Sequence, residues 1–246
     1  MQIRMLGPFE VRLGDGRAAD VQGARLRALA AALALQPGTV VRKDALVDWI
    51  WGEHPPAEAA NALHRLVSRL RKVLPEGAVQ GRADGYLLAV APEEVDAVRF
   101  ERLVTGVDEG GAQRARRLRE ALALWRGSAL QGVDLPASAG FDAAVTRLER
   151  LRRTATEDRY DAEIGAGNGA GLVPELTDLL AEDPLRERVA AALMRALAAA
   201  GRDSEALLVY RRTASPVPRR VPRDHRGRDR GQRRRVDPRR VLAVAA

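Results

Sequence analysis

Ala57-Glu58-Ala59-Ala60-Asn61-Ala62-Leu63-His64-Arg65-Leu66-Val67-Ser68-Arg69-Leu70-Arg71-Lys72-Val73-Leu74 carries the strongest helical pattern in this chain. Leu63, Leu66, Val67, Leu70, Val73 and Leu74 recur at helical spacing and form one apolar stripe. Asn61, His64, Arg65, Ser68, Arg71 and Lys72 fall on the other side, with Arg69 near the boundary. Pro75 and Gly77 stop the helix. Its polar side sets Arg65, Arg69, Arg71 and Lys72 against Glu58, a surplus of three positive charges. Such a face is either an ordinary solvated surface or one built to lie against a polyanion.

The flanking sequence bears on that choice. Upstream, Ile3 and Met5 alternate, then Phe9, Val11 and Leu13, and Asp15-Gly16 supplies a turn, so residues 2–21 read as short strands. A helix is expected over 24–36, stopped by Pro37-Gly38, and a second over 43–51, ended by Gly52. Glu53-His54-Pro55-Pro56 then makes a stiff loop. Downstream, 78–90 reads as a β-hairpin around Gly81-Arg82-Ala83-Asp84-Gly85. Strands, three helices and a closing hairpin make a winged helix-turn-helix. In such a fold the third helix enters the major groove of a duplex, where arginine is bidentate to guanine. Arg82 on the hairpin can meet the adjacent backbone or minor groove.

Charge is unevenly distributed. The formal net charge is +8, and residues 213–246 hold 11 Arg against 3 Asp, so the tail carries the whole excess. The pI near 10.9 is a property of that tail and does not by itself argue for nucleic acid. Within the rest, 1–92 holds 12 basic and 9 acidic groups, a surplus that the 57–74 helix accounts for.

From Glu93 onward the pattern is helical, with helices expected over 95–108, 112–126, 137–166, 171–181, 185–200 and 204–212. Gly167 and Gly201 stand 34 residues apart, the tetratricopeptide period, and Gly201-x-x-x-Glu205-Ala206-Leu207-x-x-Tyr210 fits the second half of such a repeat. An unrelated helical bundle is the other reading. Repeats of this kind stack and present a groove to a partner.

Several chemistries find no support. With no cysteine there is no disulfide, thiolate metal site or cysteine nucleophile, and a reducing, cytoplasmic setting is expected. The start of the chain has no signal-peptide run, and no stretch approaches the 18 or so apolar residues of a membrane span, so no membrane partner is expected. His54, His64 and His225 lack metal-ligand spacing, and neither Lys43 nor Lys72 sits in a P-loop. The glycines of 165–171 lack the dinucleotide register and a preceding strand, and read as a helix connection. Trp49, Trp51 and Trp125 read as core. No catalytic residue, metal or cofactor is assigned.

Many separate motifs then align with one family. Met5-Leu6-Gly7-Pro8-Phe9-Glu10-Val11, Leu46-Val47-Asp48-Trp49-Ile50-Trp51-Gly52, Ala60-Asn61-Ala62-Leu63, Val67-Ser68-Arg69-Leu70-Arg71-Lys72, Gly85-Tyr86-Leu87-Leu88, Ala121-Leu122-Ala123-Leu124-Trp125-Arg126-Gly127 and Pro184-Leu185-Arg186-Glu187-Arg188 resemble, in order, the SARP-type antibiotic regulatory transcriptional activators. The resemblance covers about residues 1–213. It implies a mainly α chain with a small β component: an OmpR-like winged helix-turn-helix over 1–92, then an all-α, TPR-like bacterial transcriptional activation domain over 93–212. Residues 213–246 would form an atypical Arg/Pro-rich tail, expected to be disordered.

By that resemblance, 57–74 is the recognition helix, and Arg65, Ser68, Arg69 and Arg71 fall at DNA contacts. Asn61, His64, Lys72 and Arg82 extend the surface, and Arg25 and Arg27 meet phosphate at the start of the first helix. Leu26 stands where a polar residue is usual, and Arg42 replaces the usual serine cap of the second helix. Glu53, His54, Pro55 and Pro56 resemble the polymerase-facing loop. The expected partners are double-stranded promoter DNA, carrying direct repeats, RNA polymerase holoenzyme, and a second copy as a homodimer, at least on DNA. The expected function is activation of a secondary-metabolite gene cluster. The alternative is a helical-repeat adaptor that binds protein without DNA readout. No receiver module precedes the first domain, so phosphorylation of a receiver aspartate is not its expected switch. The tail departs from the family: either a reading-frame slip in a GC-rich gene, or a genuine basic tail that adds nonspecific phosphate affinity.

Overall fold

The structure is a computed structural model that describes residues 1–106, 110–135 and 138–213. The tail from residue 214 lies outside the described residues, as does the fate of both readings of it. The chain divides into two compact units, Met1–Ala162 and Glu163–Ala246.

In the first unit, β1 (Gln2–Arg4) and β2 (Glu10–Arg12) pair antiparallel with Ile3 opposite Val11. The connection between them is therefore 5–9. The Asp15-Gly16 turn lies beyond β2 and folds Ala18 back onto Arg12, with Leu13 N–H donating to the Arg17 carbonyl at 2.8 Å. Then come α1 (Ala24–Ala34), β3 (Val41–Arg42), α2 (Lys43–Trp51), α3 (Ala59–Val73), β4 (Val79–Gly81) and β5 (Gly85–Leu88). The expected strand–helix–helix–helix–hairpin order is present. Sequence reading missed β3, because two residues carry no periodicity. It pairs with β5, making a three-stranded sheet in the order β3-β5-β4. Gly85 is needed there: a Cβ on it would stand 2.1 Å from the Val41 carbonyl oxygen.

Alanine spacing explains the centre of the unit. The sequence of α1, Ala24-Arg25-Leu26-Arg27-Ala28-Leu29-Ala30-Ala31-Ala32-Leu33-Ala34, is buried from Ala28 onward on every side. Small side chains let neighbouring elements approach its axis closely. Leu63, Leu66, Val67 and Leu70 of α3 pack into the same core, as the apolar stripe predicts.

That core does not stop at residue 92. It continues through Val95, Ala97, Phe100, Leu118, Ala121, Leu130 and Leu148, which belong to α4 (Asp96–Thr105), α5 (Gly111–Leu122), a loop and α6 (Ala139–Gly165). The expected domain border at 92/93 thus falls inside the first unit. Helix 112–126 ends early, at Leu122, because Arg126 N–H turns away to the Leu6 carbonyl (2.7 Å). Trp51 is buried, while Trp49 and Trp125 are half-buried against the core. Trp125 stands edge-on to Phe100 at 5.4 Å and under the Arg152 guanidinium at 4.6 Å.

The second unit holds a 3₁₀ turn (Gly169–Leu172), α7 (Val173–Glu182), α8 (Glu187–Ala199) and α9 (Asp203–Thr213). The 34-residue echo has a concrete form. Gly167 (φ 86°) and Gly201 (φ 71°) both end helices in the left-handed region. Asn168 N–H reaches the Glu163 carbonyl and Arg202 N–H the Leu197 carbonyl, each at 2.9 Å. Gly167 and Gly201 N–H reach Ile164 and Ala198, each at 3.0 Å. Both are the same paired C-cap, which satisfies carbonyls that a helix end leaves orphaned. The glycine run 165–171 is a helix connection of this kind. Among the described residues, no helix is long and apolar enough to cross a membrane.

Candidate nucleic-acid interface

The outward face of α3 is built by subtraction: what the core does not take is left to solvent. Asn61, His64, Arg65, Arg69, Arg71 and Lys72 are exposed and Ser68 is half-buried. His64, Arg65, Ser68, Arg69 and Lys72 make no side-chain hydrogen bond or ion pair with a described residue. Asn61 is engaged locally, its Nδ2 donating to Glu58 Oε2 at 3.0 Å. Arg71 and Lys72 occupy the last turn, where positive charge complements the helix dipole. Fifteen residues make a rod of about 22 Å, long enough to cross a major groove about 12 Å wide.

Arg71 does double duty. Its Nε donates to the Val79 carbonyl at 3.0 Å, tying α3 to the hairpin. At the hairpin tip Arg82 is exposed, with its guanidinium on the Gly81 carbonyl (3.0 Å) and Gln80 Oε1 (2.8 Å). Lys43, which sequence reading took only as the start of α2, holds the same tip. Its backbone N–H donates to Asp84 and its Nζ to the Ala83 carbonyl, both at 3.0 Å. No spacing in the sequence signals that contact, because it joins residues 40 apart. Arg42 does not cap α2; its guanidinium pairs with Asp44, which holds that carboxyl below the usual aspartate range.

The opposite flank of α3 opens onto a groove of about 1040 Å³. Leu26, Ile50, Trp51, Ala62 and Leu66 give it apolar walls, and Arg25, Arg65 and Arg69 stand along it. The Arg25 guanidinium lies 6.0 Å from the centre of the Trp51 ring. His54 and Pro56, from the exposed 53–56 loop, reach the same groove, whereas Glu53 and Pro55 do not. The structure places Arg27 differently from Arg25. It is half-buried, and it donates through Nε to the Val21 carbonyl (3.0 Å) and through Nη1 to Gly132 (2.9 Å).

Residues 126–131 and 138–141 bind back to the winged helix at several points. Leu130 N–H reaches the Met5 carbonyl at 2.7 Å, and Phe9 N–H the Gln131 carbonyl at 2.9 Å. Ser138 Oγ donates to the Trp49 carbonyl at 2.6 Å, and Phe141 meets the Trp49 ring edge-on at 6.1 Å. At the root of this arrangement Asp96 accepts Met5 N–H (2.7 Å) and Leu6 N–H (3.1 Å), with Arg126 3.6 Å away. Burial pushes the Asp96 carboxyl above the usual aspartate value, against the pull of those donors.

Comparison with known proteins agrees with this architecture. Residues 22–88 match the family described as transcriptional regulatory protein, C terminal, and residues 95–220 match the bacterial transcriptional activator domain. Regulatory protein DnrI of Streptomyces peucetius is 38% identical over 85% of this chain and 82% of its own length. The chain belongs to the SARP-type family of transcriptional activators. Transcriptional regulator RedD of Streptomyces coelicolor is 37% identical over 86% of this chain and 63% of its own. A solved structure of Mycobacterium tuberculosis EmbR, in complex with a low-affinity phosphopeptide, superposes with a TM-score of 0.77 at 30% identity. It covers 86% of this chain, which spans 58% of the EmbR chain. The SARP-type activators are regulators, not enzymes.

Proposed function

We propose that the chain binds double-stranded promoter DNA in a sequence-specific way and activates transcription of an antibiotic or other secondary-metabolite gene cluster. In this reading α3 lies in the major groove. Arg65, Ser68 and Arg69 read base edges, with His64, Asn61 and Lys72 beside them. Arg71 and Arg82 meet the backbone from the hairpin side, and Arg25 meets phosphate from the start of α1. Arg27, committed to two carbonyls, holds the loop at Gly132 rather than a phosphate. The Glu53–His54–Pro55–Pro56 loop is exposed and is the proposed contact for RNA polymerase holoenzyme. Direct repeats are the proposed sites, bound by a homodimer, at least on DNA.

The observation that carries the reading is the division of α3. One face is sealed in the core, and the other offers Arg65, Arg69 and Lys72, none of which forms an ion pair with a described residue. A surface helix maintained only for solubility gains nothing from unpaired arginines next to a stapled hairpin. Fluorescence anisotropy with a promoter duplex and a scrambled duplex tests it. Arg65→Ala and Arg69→Ala should each cost about 1–3 kcal/mol on the promoter and little on the scrambled duplex. Arg25→Ala should weaken both alike and flatten the salt dependence. If all three variants lose affinity uniformly, base readout by α3 is wrong. No binding to either duplex would favour the protein-binding adaptor.

A further inference from the structure

The cationic groove beside α3 contains one carboxylate that the winged helix does not supply. Asp134 lines it together with Arg25, Arg65 and Arg69, yet it lies more than 40 residues beyond the hairpin. Its placement is over-determined. Val133 before it and Leu135 after it are buried at 2% and 8% exposure. Two residues upstream, the Gly132 carbonyl is held by Arg27. Leu130 is itself 1% exposed and adopts a left-handed φ of 54°, a conformation that costs a leucine energy. A loop that merely connected two helices would not need such anchoring. Here the anchors leave the Asp134 side chain exposed on the rim of the groove.

We propose that Asp134 is a specificity-determining residue of this interface, one that acts by weakening sequence-independent attraction of polyanions. This rests on the DNA-binding reading above. Phosphate attraction is the part of the interaction shared by all sequences. A negative charge on the rim of a groove lined by guanidinium groups lowers the local positive potential, an effect that salt screens beyond a Debye length of about 10 Å at 0.1 M. Base contacts by Arg65 and Arg69 depend on short hydrogen bonds and are less affected. The ratio of specific to nonspecific affinity therefore rises, at some cost in total affinity.

The test compares the full chain with Asp134→Asn and with Asp142→Asn, an exposed acid at the start of α6 that makes the same charge change without lining the groove. Salt-gradient elution from heparin and anisotropy with a scrambled duplex read the nonspecific term. Asp134→Asn should elute at higher salt than Asp142→Asn and bind the scrambled duplex about two- to fivefold tighter. Its preference for the promoter duplex should shrink by a similar factor. Equal behaviour of the two variants on heparin overturns the proposal. So does a loss of promoter affinity in Asp134→Asn with heparin elution unchanged, since the carboxylate would then be making a base or positioning contact. If the wild-type chain shows no promoter preference, the DNA-recognition reading fails on its own, and heparin elution still decides whether Asp134 tempers the groove.

Discussion

Asp96 shows how one side chain can set the terms for a whole region. Its carboxylate accepts two consecutive backbone N–H groups of the N-terminal strand segment and stands beside Arg126. Desolvation nevertheless dominates and raises its pKa. A raised folded-state value means that the folded protein binds the proton more tightly than the unfolded chain. Asp96 therefore contributes stability below its ordinary, unfolded value, and that contribution is lost as pH rises through the folded value. Asp96→Asn keeps the shape but replaces one acceptor oxygen by a donor amide, leaving a buried N–H facing it. It should cost about 1–3 kcal/mol at neutral pH. Thermal melts of both proteins across the acidic range check this. The difference between wild type and variant should change with pH in that window only, and a pH-independent gap would refute the linkage.

At the scale of elements, the informative comparison is between what α3 and β3 could signal. Fifteen residues of α3 carry an apolar stripe at 3.6-residue spacing, so its buried and open faces were legible before any coordinates. The two residues of β3 carry nothing of the kind, and they exist as a strand only because β5 offers them partners. The repeat glycines are an intermediate case: the period was readable, the bonding was not. Gly167→Ala and Gly201→Ala should each destabilise by about 1–2 kcal/mol, because each forces a Cβ into a left-handed cap. Urea denaturation followed by circular dichroism measures it. Gly165→Ala, with open space around its Cβ position and no left-handed φ, is the control and should be near neutral.

For the whole molecule, the continuity of the core across residue 92 has a direct consequence. Met5 and Leu6 are fully buried, and their backbone partners are Asp96, Arg126 and Leu130. A fragment of residues 1–92 re-exposes them, and each large apolar side chain returned to water costs about 1.5–3 kcal/mol. We expect that fragment to melt well below a fragment of residues 1–162, which keeps the shared core. Equal melting temperatures by calorimetry would show that the winged helix is independent. The same continuity bears on the proposed interface, since the segment that seals this core also carries Asp134 to the groove beside α3.

The order of helices, the two-faced nature of α3 and the concentration of charge in the tail followed from sequence alone, because periodicity, breakers and composition are local properties of the chain. The end of α5 at Leu122, the staple between Lys43 and the hairpin tip, the bonding of Arg27 to two carbonyls, and the arrival of Asp134 in the groove that Arg65 and Arg69 line were decided only in three dimensions. Each depends on residues far apart in the chain being brought within hydrogen-bond or groove distance, and no local pattern encodes that proximity.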